Sequence, residues 1–406
     1  MASPSPRQAR ARARKRAKPP DANRRLRIVV LGYFVRGPLG GMVWSNLQYL
    51  VGLAQLGHDV FFLEDSDDYP SCYDPVKDAI DTDPSYGLQF AASVFERVGL
   101  AERWAYHDVH TSRWLGPCTD RVQEICNSAD LLLNLCGMNP MRPWWAEIPV
   151  RVFLDEDPAF TQIRHLTDPG ARELARQHTA FLSFGTNIGT ASSLIPDDGF
   201  PWKPTRQPVA LASLEVTPGP ADGKFTTVMI WESYPAREFQ GVRYGMKADS
   251  FQPYLDLPKK VGAIFDLGAG GPSVPKALLR SHGWTWLDPR ELTLDPWTYL
   301  QFIRRSKAEF SVAKHGYVTS RSGWFSERSL CYMGCGRPVL LQDTGFSDWL
   351  PTGSGVLTFS SPDEALAAIE EINGHYEYHC GVARTIAEEY FDAPAVLEEL
   401  LEQVGV

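Results

Sequence analysis

Continuous apolar runs, separated by glycine-rich and polar turns, recur along most of this chain. Leu26–Phe34 (LRIVVLGYF) predicts a buried strand, and Arg36–Trp44 (RGPLGGMVW) a Gly-Pro loop entering a helix that ends near Gly57. His58–Asp65 (HDVFFLED) predicts a second strand. Strand, loop, helix and strand in this order make the opening βαβ unit of a Rossmann-like sheet, in which ligands bind beyond the strand C-termini. The loop does not match G-x-G-x-x-G, and no dinucleotide fingerprint appears elsewhere.

The same plan continues. A helix is expected around Tyr86–Val98, strands at ADLLLNL and PVRVFLDEDP, a helical pair across Phe160–His178, and a strand at AFLSFG. Asn187–Lys224 is rich in Pro, Gly and Asp and reads as loops leading to an interdomain linker. A second set of strands follows at FTTVMIW, VGAIFDLG, KAEFSVA and PVLLQD, closed by helices over Pro362–Glu402. The expected fold class is α/β, with two Rossmann-like domains facing a cleft. The divisions are a disordered basic tail at 1–26, a domain at 27–215, a domain at 225–380, and C-terminal helices at 381–406 that pack back on the first domain.

At 406 residues the chain is long enough for two cores, and 44% hydrophobic with 22% charged residues describes a soluble globular protein. No apolar run reaches the ~18–20 residues of a membrane span, and the basic start lacks the apolar core of a signal peptide, so a cytoplasmic location is expected. Seven scattered cysteines have no metal-ligand spacing and read as reduced, mostly buried thiols. Net charge is −9, yet residues 1–27 carry eight Arg and two Lys against one Asp, a local +9 that leaves −18 for the rest. Such a tail suits contact with an anionic surface, or simply a solvated terminus. No aromatic residues interleave its charges as stacking platforms for nucleic acid would require.

The stretch Ser322–Pro351 carries the chemistry. Ser326 predicts an N-cap, with Glu327, Arg328 and Ser329 as the first turn, so free N–H groups and the positive end of the helix dipole offer a phosphate site. Gly336 and Pro338 end this helix before the Val339–Leu341 strand. Lys314, His315, Arg321 and Arg328 converge on the helix start, with Ser322 in the loop between. Asp155, Glu156 and Asp157 lie just beyond a strand end, where Asp157 serves either as a base or as the cap of the next helix. Glu64, Asp65, Asp67 and Asp68 read as a solvated acidic edge; His58 and His165 read as structural.

From about 307 to 375, the order of polar loop, small-residue helix, CGRPV strand, Asp-Thr-Gly loop and SPDEALAAI helix resembles the donor half of group 1 glycosyltransferases of the GT-B fold. The resemblance implies a nucleoside diphosphate sugar as co-substrate, no required cofactor or metal, and an unknown acceptor. It places Gly40 and Gly41 near the donor phosphates, and Arg243 with Lys247 as a basic pair for the diphosphate. Asp343, Thr344 and Gly345 follow the strand where they can hydrogen-bond the sugar. Retaining members carry two Glu eight positions apart; here Gly323 and Cys331 occupy those positions, and Glu327 lies one helical turn before Cys331. Candidate catalytic groups are therefore Asp157, Glu327 and His315, with inverting or retaining chemistry open. The alternatives are a sugar-nucleotide epimerase of the same architecture or a catalytically silent nucleotide-sugar binding protein.

Overall fold

The computed structural model describes residues 24–406; most of the expected basic tail lies outside the described residues. The first half contains β1 (Arg27–Leu31), β2 (Asp59–Asp65), β3 (Cys72–Asp74), β4 (Ala79–Asp81), β5 (Trp104–Asp108), β6 (Arg113–Leu115), β7 (Leu131–Leu135), β8 (Val150–Asp155), β9 (Ala180–Ser183) and β10 (Lys203–Pro204). Eight of these form one sheet in the order β10-β9-β8-β7-β1-β2-β5-β6, parallel except for β6, while β3 and β4 make a separate hairpin. The second half contains β11 (Phe225–Ile230), β12 (Arg237–Phe239), β13 (Val242–Tyr244), β14 (Phe265–Gly270), β15 (Thr285–Trp286), β16 (Ala308–Ser311), β17 (Val339–Gln342) and β18 (Val356–Phe359). Its sheet is all parallel, in the order β15-β14-β11-β16-β17-β18, and β12–β13 is a hairpin.

The apolar runs form central strands because helices cover both faces of a parallel sheet. Ile28, Val29, Val30 and Leu31 of β1 are wholly buried. In the first sheet the winding direction reverses at β1, flanked by β2 and β7; in the second it reverses at β11, flanked by β14 and β16. Loops diverge at such reversals and leave a crevice at the strand C-termini. The last helix, Ala393–Val404, returns to the first sheet's leading helix, Gly40–Gln55. Gly52 permits this approach, since a Cβ there would lie 2.5 Å from Leu397.

The two sheets are joined by a tight seam. One apolar cluster runs from β1 and β7 through to Trp324, Phe325 and Leu330 of the second half. The segment after β9, expected as open loop, clamps the second half. Thr186 Oγ1 donates to Gly323 O at 2.8 Å, Asn187 Nδ2 to Arg321 O at 3.1 Å and Gly345 O at 3.0 Å, and Leu194 N to Ser320 O at 2.7 Å. Backbone carbonyls of one half are thus satisfied by donors of the other, which gives the loop its fixed course.

The acidic edge is a correction. Glu64 and Asp65 are completely buried, because Glu64 accepts from the N–H groups of Phe34, Val35 and Arg36, and Asp65 pairs with His107 and Arg142. His165 is structural, bonded to Asp198 Oδ2 at 2.7 Å, and His58 Nδ1 accepts from Leu26 N at 3.3 Å. The seven cysteines are free thiols, buried or half-buried.

Candidate active site

The helix Glu327–Gly334 begins as its sequence dictates. Ser326 is the N-cap, its hydroxyl accepting from Arg328 N at 3.3 Å. Around this start, however, the polar groups turn inward. Arg328 Nε donates to Glu309 Oε1 at 2.6 Å and Nη2 to Ser311 Oγ at 2.5 Å, both on β16. Burial works against the Arg328 charge, but Glu309 outweighs it and raises its pKa. Beside Ser326 lies a cavity of about 10 Å³, lined by Trp324, Phe325, Thr344 and Phe346 among others, which is room for one water. Ser326 and Arg328 are thus engaged with the protein's own groups at the helix mouth.

A cluster of charged side chains lies one residue further, between Glu327 and the loop after β8. Lys247, Glu156 and Glu327 are all half-buried. Burial, with Arg328 beside it, brings Lys247 down to about 7 despite Glu327 and Glu309. Burial pushes Glu156 up to about 8; a hydrogen bond from Cys136 opposes this and the Glu327 charge adds to it. Partly exposed groups this strongly desolvated mark a candidate functional cluster. Cys136 and Ala159, which flank β7 and β8 at this point, hold φ values of 57° and 71°, strained for residues bearing a Cβ. Tyr49 OH, Ser329 Oγ and Glu309 Oε2 are buried here without hydrogen-bond partners.

Asp157 does not cap the next helix; its carboxylate is held by groups of the second half. Its Oδ1 accepts from Lys314 Nζ at 2.8 Å and from the Tyr317 hydroxyl, and its Oδ2 from the Tyr234 hydroxyl. The helix Phe160–Thr167 is instead opened by Ala159, whose N–H donates to Gln162 Oε1 at 2.7 Å. Asp155 is fully buried, accepting from Gln162 Nε2 and Ser183 Oγ.

The remaining candidates separate. Lys247, Lys314, Glu327 and Arg328 gather on one crevice, close enough for each of the others to shift Lys247. His315 sits at its edge, Nδ1 accepting from Gly245 N at 3.4 Å. Arg243 pairs with Asp249 and Arg321 with Asp348, both on the exposed surface. Gly40 and Gly41 face the second half's Asp295 and Tyr299: Gly40 N donates to Thr293 O at 2.8 Å, and a Cβ on Gly40 would lie 2.2 Å from Asp295 O. Ser322 is buried, and Trp44 belongs to the core. Asp343 accepts from Gly345 N at 2.8 Å and Ser347 Oγ at 2.6 Å, and Thr344 Oγ1 donates to Trp324 O at 2.6 Å, so this loop is spent on its own turn.

Tyr234, Tyr317 and Glu309 were not singled out from the sequence. A glutamate inside an apolar strand, KAEFSVA, is the one signal that marks a buried ion pair in advance. Among the described residues, metal-like spacing occurs at Glu371, His375 and His379. His379 Nδ1 accepts from Gly355 N at 3.1 Å, so its Nε2 carries the hydrogen that faces Glu371 and has no lone pair for an ion.

Residues 270–392 match the model of the glycosyl transferase-like family. Among solved structures, an alpha-glucosyltransferase in complex with UDP and a 13-mer DNA containing a HMU base superimposes with a TM-score of 0.61 at 10% identity, over 94% of this chain and 100% of that one. Anabaena HepE in complex with UDP-glucose gives 0.53 at 14% identity, over 93% and 99%. The fold is that of GT-B glycosyltransferases. No curated protein sequence matches this chain significantly.

Proposed function

We propose that this chain of glycosyltransferase fold moves a sugar from a nucleoside diphosphate sugar, a uridine one in the first instance, to an acceptor hydroxyl. The observation that carries the reading is the cluster between the two halves, where Lys247 and Arg328 meet Glu156 and Glu327 beside the start of the Glu327–Gly334 helix. A leaving diphosphate needs positive charge beside it, for which Lys247 and Arg328 are the candidates in this cluster, in place of a metal. Glu327 and Glu156 are the carboxyls free of ion pairs there. A protonated Glu156 offers a hydrogen bond to the sugar or the leaving oxygen, and the Glu327 carboxylate faces the charge that develops at the anomeric carbon.

UDP and UDP-glucose occupy the structural neighbours, which supports testing uridine donors first. Incubating the full chain with labelled nucleotide sugars, with and without a chelator, should release nucleoside diphosphate in both cases. Sugar interconversion without release would point to an epimerase. Nucleotide binding without turnover across an acceptor panel would point to a silent binding protein.

A further inference from the structure

A second constellation lies at the strand C-termini of the first sheet, on the opposite side of β1 from the crevice. Strand register assembles it: Asp65 of β2 stands opposite His107 of β5, and His107 opposite Trp114 of β6. His107 Nδ1 lies 2.8 Å from Asp65 Oδ2; because a carboxylate only accepts, Nδ1 carries the hydrogen and Nε2 is the nitrogen left for another partner. Arg142, from the loop after β7, holds the same carboxylate through Nε at 3.0 Å and Nη2 at 2.8 Å. Burial pulls the Asp65 carboxyl upward, but the hydrogen bonds from His107 and Arg142 outweigh it and hold it below the usual carboxylate range. The pair is fixed, and its outer nitrogen is unused: His107 Nε2 has no partner among the described residues, and 10% of the side chain remains open.

Tryptophans frame that nitrogen. Trp114 and Trp144 lie 5.0 and 4.7 Å from the His107 ring, centroid to centroid, and both are half-buried. Trp144 Nε1 is buried without a hydrogen-bond partner. Asp68 and a half-exposed Tyr69 complete the rim, Asp68 accepting from Arg142 Nη2 at 2.8 Å. A pyranose ring presents a C–H face to aromatic rings and hydroxyls to planar polar groups at its edge; Trp114 and Trp144, packed on each other at 5.6 Å and against the core but partly exposed, and His107 Nε2 are groups of these two kinds.

We propose that His107, Trp114 and Trp144 form a saccharide-binding subsite that holds the distal part of a carbohydrate acceptor. The assignment to an acceptor rests on the transferase reading above. Three strand spacings separate β2 from β8, roughly 14 Å at the usual interstrand distance. An acceptor touching both places is therefore longer than one sugar ring. His107 Nε2 hydrogen-bonds a sugar hydroxyl, while Asp65 and Arg142 act as positioning residues behind it.

The test uses the full chain and short malto-, cello-, chito- and manno-oligosaccharides. N-bromosuccinimide oxidation of Trp114 and Trp144, read by peptide mass spectrometry, should be slowed severalfold by at least one glycan series. Trp144→Ala and His107→Ala should each weaken that glycan at least tenfold in calorimetry and leave UDP affinity unchanged. Unchanged glycan affinity in both variants, or no protection by any series while UDP binds, overturns the subsite and leaves the transferase reading standing. Protection without binding or turnover of any nucleotide sugar keeps the subsite and overturns that reading. The wild-type oxidation measurement does not depend on either variant folding.

Discussion

Lys314 Nζ lies 2.8 Å from Asp157 Oδ1 and 2.9 Å from the Tyr234 hydroxyl, so an ammonium from the second half and a carboxylate from the first form an ion pair across the seam. Two phenols also donate to Asp157, so three of its roughly four lone-pair sites are taken by the protein. The pair ties the two halves together at this point.

Asp157→Asn and Lys314→Met should therefore each lower the unfolding free energy by about 1–2 kcal/mol, the range for a partly exposed, charge-assisted pair. The double variant should lose less than the sum, because the two act through one contact. Urea unfolding of the four proteins measures this. Additive losses would contradict this tie, and abolished turnover in Asp157→Asn with intact donor binding would mark Asp157 as the base.

Arg328 is held by Glu309, which is wholly buried and has one oxygen without a partner. Arg328→Ala should cost about 3–5 kcal/mol, mostly the penalty of stranding that carboxylate. Glu309→Gln combined with Arg328→Gln should recover much of it. A thermal unfolding series reads the difference, and nucleotide affinity is interpretable only in the recovered pair.

The two-sheet plan was legible because parallel strands buried on both faces leave unbroken apolar runs such as Ile28–Leu31 and Leu131–Leu135. Short edge pieces such as β10 and β15 left no such signal, being two residues long. At the site, Lys247, Lys314, Glu327 and Arg328 were found because charges at strand and helix ends stand out. Their pairings were not, since Asp157 meets Lys314 across 157 positions and Arg328 meets Glu309 inside an apolar strand. Asp65 was misread as solvated because its partners, His107 and Arg142, arrive from β5 and from the loop after β7.

Gly323 takes the place of the first glutamate of the retaining pattern, and packing explains why a side chain is excluded. Its φ is 74°, and a Cβ would lie 2.3 Å from Thr186 Oγ1 and 2.9 Å from Asn187 N, in the clamp between the lobes. Gly323→Glu should thus lower stability by at least about 2 kcal/mol through backbone strain and overpacking, with no gain in turnover. A stable Gly323→Glu variant with raised activity would contradict this.

Lys247 and Glu156 give the stability curve two opposed slopes. Glu156 is raised from 4.5 to about 8, so between those values the native state keeps a proton that the unfolded chain releases, and stability falls as pH rises through that window. Lys247 is lowered from 10.5 to about 7, so between those values the unfolded chain holds the extra proton, and stability falls as pH drops toward 7. Glu156→Gln should flatten the acid-side slope and Lys247→Met the alkaline one, each leaving the other in place. If a diphosphate sits against Lys247, its charge favours the ammonium, and binding at pH 8 takes up protons. Calorimetry of UDP binding in buffers of different ionisation enthalpy should record that uptake in the wild type and a clearly smaller one in Lys247→Met. Equal uptake in both proteins would move the diphosphate away from this lysine.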